Sequence, residues 1–146
     1  MLKRRGGGFR LSVLELRATP DSGVHVLIDG RDLREIVRRT EAPHADAAGT
    51  PEVAGSYAGM QAWEWAHPPD DDDGREAVFG CTCGVTECRP LFVRITRKAG
   101  TVVWSDFDGP LGKAVYERLG PFTFTREMYE AAVAAVTGVA GDSARR

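Results

Sequence analysis

The chain has 146 residues, of which 42% are hydrophobic and 27% charged, and its net charge is −2. That length fits one domain able to bury roughly 68–70% of its unfolded surface, so folding requires neither a metal nor a disulfide. The near-neutral charge argues against an electrostatic nucleic-acid binder, and no apolar run approaches the ~20 residues that span a membrane.

Residues 1–8 are basic and glycine-rich and read as a tail. Gly6, Gly7 and Gly8 follow Lys3, Arg4 and Arg5 where a secretory signal would have an apolar stretch, so a cytoplasmic chain is expected. Residues 9–18, with Leu11, Val13, Leu14 and Leu16, predict a strand. A turn with Pro20 and Gly23 leads to a second strand over 24–28, with Val24, Val26 and Ile28 on one face, and together they make a hairpin. Residues 31–39 predict a short helix through Leu33, Ile36 and Val37. Asp32 and Glu35 form a capping-box pattern at its start, and the helix is expected to stop before Pro43.

Residues 41–74 are expected to form a long irregular loop, since Pro43, Pro51, Pro68 and Pro69 break regular structure. The acidic run Asp70, Asp71, Asp72, Asp73 reads as a solvated turn. Tyr57, Met60, Trp63 and Trp65 lie in the same loop and are expected to pack down onto the domain. Residues 76–79 begin a strand that runs into the cysteines. Residues 91–97 and 101–107 alternate around Lys98, Ala99 and Gly100 as a second hairpin. Residues 111–119 read as a short helix or irregular chain, and 121–124 as a short strand. Thr125 caps a last helix over 126–137, with Tyr129, Ala132, Val133 and Val136 on one stripe and Gly138 as its stop. Residues 139–146 read as a second tail. The sum is one α+β domain over 9–138: an antiparallel sheet of about five strands with two helices on one face.

The chemistry concentrates in Cys81, Cys83 and Cys88, which are all the cysteines of the chain. Three soft thiolates suit zinc, and a structural zinc site takes four ligands. His67 is the best candidate for the fourth ligand and His44 the second, whereas His25 falls inside a predicted strand and reads as packed or exposed. Two other readings stand beside the metal site. The thiols are small buried groups, or Cys81 or Cys83 pairs with Cys88 in redox work, with Arg89 as the adjacent cation. There is no phosphate-binding glycine motif, His-Glu-x-x-His or nucleophile elbow, so no catalytic residue is assigned. Trp63, Trp65 and Trp104 read as packing residues, with a shared pocket as the alternative.

Cys81, Thr82, Cys83 and Gly84, then Cys88, Pro90 and Leu91, a hairpin ending Val103, Trp104, Ser105, Asp106, Phe107, then Phe122, Thr123, Phe124 and Tyr129, Glu130, Ala131, Ala132, together resemble a family of small bacterial proteins from high-GC Gram-positive genomes. The chain departs from that pattern at Glu87, where members often carry glycine. The resemblance implies a cytoplasmic location and a shared fold and brings no activity. The functional expectation is a non-enzymatic interaction domain with a structural zinc at Cys81, Cys83, Cys88 and His67, and with its aromatic loop or sheet face turned to a protein partner. A thiol-dependent enzyme or redox protein using Cys83 or Cys88 is the rival.

Overall fold

The computed structural model describes residues 10–19, 23–65, 74–81 and 90–138, with the backbone alone for Cys81. The expected tails, the acidic run, His67, Cys83 and Cys88 lie outside these residues. The described chain is α+β and antiparallel, as expected, but it has eight strands in two sheets where about five strands in one were predicted.

The first hairpin is β1 (Leu14–Thr19) with β2 (Gly23–Ile28). Alternation with period two decides its faces: Leu14, Leu16, Val24, Val26 and Ile28 are buried, while Glu15 and Arg17 are exposed. β1 starts later than predicted, because residues 11 and 12 leave the hairpin to bond elsewhere. The two-residue strand β3 (Arg31–Asp32) completes this three-stranded sheet.

Helix α1 (Leu33–Ala47) begins where predicted, with the Asp32 side chain accepting from Arg34 N at 2.8 Å. Glu35 does not close a capping box; its carboxylate is held by Arg38 and Arg39. The expected stop before Pro43 is wrong, since the helix continues through this exposed proline to Ala47. Anchors on both sides of it outweigh the lost backbone bond. Leu33, Val37, Glu41 and Ala45 are buried at four-residue spacing, and Glu41 accepts hydrogen bonds from Gly55 N and Tyr116 Oη, each at 2.7 Å, and from Tyr57 Oη.

The predicted 41–74 loop is correspondingly shorter and more structured. It contains strand β4 (Tyr57–Gly59) and a 3-10 turn over Ala62–Trp65. Tyr57, Met60 and Trp65 are packed into the core, as expected, whereas Trp63 is 65% exposed. The five-stranded sheet runs in the order β4, β5 (Glu76–Cys81), β6 (Leu91–Arg97), β7 (Thr101–Asp108) and β8 (Phe122–Thr125). A further 3-10 turn, Lys113–Tyr116, lies between β7 and β8. Helix α2 (Arg126–Thr137) starts at Thr125, whose hydroxyl accepts from Met128 N, and ends at Gly138 in the left-handed region, both as predicted.

The first hairpin and the residues that lead into it bond both edges of the larger sheet. Val24 N donates to Met60 O at 2.8 Å just past β4, and Ser12 N donates to Thr123 O in β8 at 2.6 Å. Gly23 makes the first approach feasible, because a Cβ there would lie 2.5 Å from Gly59 O. One apolar cluster therefore runs from Leu14 to Tyr129 across both sheets.

Replacing Pro43 by alanine restores a helical donor on an exposed face. Pro43→Ala should raise stability by about 2 kcal/mol, the helix gain of ~3 less a smaller loss through the freer unfolded chain. An unchanged or lower denaturation midpoint would show that the proline is not a local defect of α1.

Candidate functional site

Of the sequence-predicted ligands, Cys81 alone has a described backbone. It is the last residue of β5 and sits opposite Tyr57 of β4. Among the described residues no group of three or more His, Cys, Asp or Glu is placed to hold a metal. His44 stands exposed in the last turn of α1, apart from any such group. His25 is in β2, as expected, with Nδ1 3.9 Å from Asp32 Oδ2.

The structure does form a groove of about 430 Å³ between β5, β6, β7 and α2. Its floor is the apolar face of the sheet, including Val78, Ile95 and Val102, and its wall is the α2 stripe of Tyr129 and Val133. The reason is visible along that stripe. Tyr129 is buried, but Ala132, Val133 and Val136 are only half-buried by the described residues. Trp65 closes one side. It stacks on Trp104 with ring centroids 6.2 Å apart, and Trp104 meets Tyr129 edge-on at 6.1 Å. The packing expected of Trp65 and Trp104 is present, with Trp65 alone of the three among the groove's lining residues, whereas Trp63 is exposed instead of packed.

The charged groups of the groove are paired. Arg97 donates to both oxygens of Glu76, at 2.8 and 3.0 Å. Arg126 donates to Glu130 at 2.8 Å and to Lys98 O at 2.9 Å. Tyr129 accepts from Trp104 Nε1 at 3.2 Å, and burial pushes its hydroxyl up to about 12, so it stays protonated at neutral pH. The described lining residues include no histidine, cysteine or serine. This arrangement can enclose an apolar group beside mutually paired charges.

A second charged cluster ties β5 to β7. The buried Arg75 guanidinium donates to Asp106 O and Oδ2, both at 3.1 Å, and Arg94 and Lys113 also reach that carboxylate. Burial alone would raise Asp106, but the Arg75 charge together with the Lys113 and Arg75 hydrogen bonds outweighs it, and the carboxyl is held below its ordinary value. Sequence reasoning gave Arg75 no role. Its signal was faint: a lone arginine before a strand, facing Asp106 and Asp108 at alternate positions of another.

The chain matches no family model, and no curated protein and no solved structure proves similar to it.

Three buried tyrosines set an alkaline limit. Burial, then Glu41, raise Tyr57 and Tyr116 well above their ordinary value near 10.0, and Tyr129 is raised as well. The unfolded chain releases these protons first, so their contribution is intact below about pH 10 and is lost as pH rises beyond it. Unfolding free energy should fall above about pH 10 by up to about 1.4 kcal/mol per pH unit for each tyrosine. Denaturant titrations from neutral to alkaline pH will read this slope, and a flat profile would contradict the burial of the hydroxyls.

Proposed function

We propose that the chain is a non-enzymatic interaction domain whose working face is the groove under α2, with the exposed Trp63 of the Ala62–Trp65 turn as a second contact. The groove carries this reading: it is apolar, its ionic groups are mutually paired, and its tyrosine keeps its proton. Trp63 supports a protein partner. It is 65% exposed and lies on the turn whose Trp65 lines the groove, and exposed tryptophan is a frequent anchor of protein interfaces.

Cys81, Cys83, Cys88 and His67 hold a structural zinc in this proposal, supported by the chemistry of a three-thiol, one-imidazole donor set. The setting is the cytoplasm, where thiols are kept reduced, and the resemblance to small bacterial proteins belongs to the same reading. Among the described residues no helix is long and apolar enough to cross a membrane.

Tag-free protein purified without chelator should contain about one zinc per chain with protected thiols. Cys81→Ser should lower both the metal content and the melting temperature. Metal-free protein with thiols that react quickly at neutral pH and form a reversible disulfide would replace the zinc with the redox reading through Cys83 or Cys88. The interaction face has its own check. Trp63→Ala should leave the melting temperature unchanged and lower the recovery of a protein captured by the immobilised wild-type chain; capture of none, or equal recovery with both, would overturn the role given to Trp63.

A further inference from the structure

One of the bonds that join the amino-terminal hairpin to α2 runs through a sulfur. Leu14 N, at the start of β1, donates to Met128 Sδ in the first turn of α2 at 3.3 Å. The strand explains why this amide looks outward for its acceptor. Backbone groups of successive strand residues point to opposite sides. Val13 O accepts from Asp29 N, so Val13 faces β2 and Leu14 faces α2. Leu14 is 3% exposed, and a buried amide that loses its acceptor is costly. A thioether is a weak acceptor, and its lone pairs are also what an oxidant attacks. Met128 is half-buried and therefore reachable, whereas Met60 is 2% exposed.

At 3.3 Å the sulfur is already in contact with the amide, and an N–H···O bond alone needs roughly 2.7–3.2 Å. An oxygen added to the sulfur has no room between the two. Pointing toward β1, it drives Met128 off the Leu14 amide. Pointing away, it puts a polar group on a side chain that packs against the apolar core. Both outcomes weaken the seam between α2 and β1. We infer that Met128 is a redox-sensitive latch: a peroxide converts it to the sulfoxide, its bond to Leu14 is lost, and α2 loosens from β1. In that step a sulfur lone pair attacks one oxygen of hydrogen peroxide and the O–O bond breaks. The attacked oxygen stays on sulfur, and its proton passes to the departing oxygen, which leaves as water. The sulfur is oxidised by two electrons and the peroxide is reduced by two. Methionine sulfoxide is returned by dedicated reductases, so the latch resets. The Ser12–Thr123 backbone bond has no oxidisable atom and still ties the lead-in residues to β8, which keeps the loosening local. The latch does not depend on the groove being the working face.

The test exposes the full chain to hydrogen peroxide and then to dithiothreitol, which undoes reversible cysteine oxidation. Peptide mass mapping should find an added oxygen on Met128 and none on Met60. Hydrogen exchange at the Leu14 amide should become about tenfold faster, the worth of about one hydrogen bond. Methionine sulfoxide reductases should return both the mass and the rate. Met128→Leu keeps the apolar packing, removes the acceptor and has no sulfur to oxidise. In this variant Leu14 should exchange faster before peroxide and no faster after it. A Met128 that stays unoxidised in the folded chain would overturn the latch, and so would a sulfoxide that leaves Leu14 exchange unchanged. An equal peroxide response in Met128→Leu would assign the effect to the cysteines and overturn it as well. A sulfoxide that the reductases leave in place would mean damage in place of a reversible latch.

Discussion

Glu41 holds the middle of this fold together. Its carboxylate receives the Gly55 amide and the Tyr57 and Tyr116 hydroxyls, the last from 75 positions along the chain. These bonds fix α1 to the start of β4 and to the turn between β7 and β8. They are made in a site where Glu41 is 1% and Tyr116 1% exposed, so each hydroxyl answers a need of the carboxylate and each would be costly to leave unmatched. Gly109 extends the constraint, because a Cβ there would lie 2.6 Å from Tyr116 Oη. The tyrosine has room to reach Glu41 only while that position stays bare.

The remaining charged groups follow a similar rule. Arg75 is buried against Asp106, whose backbone adopts the left-handed region at φ 57, an unusual conformation for a residue other than glycine. Glu76 and Arg97 pair side by side on neighbouring strands, and Arg126 and Glu130 one turn apart on α2. Because these charges neutralise one another, what the groove presents is mainly apolar surface. If the groove is the working face proposed above, recognition there depends on shape more than on long-range attraction.

Much of the fold was legible in the residues. Alternation identified β2, β6 and β7, and local capping chemistry at Asp32, Thr125 and Gly138 located three helix ends. What was not legible depended on partners distant in sequence. Pro43 looks like a stop until Glu41 and Ala45 are seen to be gripped on either side of it. Residues 11 and 12 look like more of β1 until Thr123 draws them to another sheet. The groove was hidden for the same reason. The Tyr129 stripe announced a core-facing helix, but sequence periodicity does not say how far a helix stands from its sheet. The cysteine motif was the most conspicuous feature of the chain, and of its proposed zinc ligands only the Cys81 backbone falls within the described residues.

That the first hairpin and the residues leading into it bond both edges of the larger sheet bears on how the protein is made. β1 and β2 are adjacent in the chain and can pair as soon as both are synthesised. Their outer bonds must wait: Leu14 N meets Met128 Sδ 114 positions later, and Ser12 meets Thr123. A ribosome delivering the chain from its amino end releases those partners only after most of the described strands are already out. The segment that carries β8 and α2 therefore seals the one that leads into β1, and the α2 wall of the groove arrives in that same closing event. Before Thr123 is delivered, the described bonds cover only one edge of the larger sheet, and in that interval strand edges stand open to a neighbouring polypeptide.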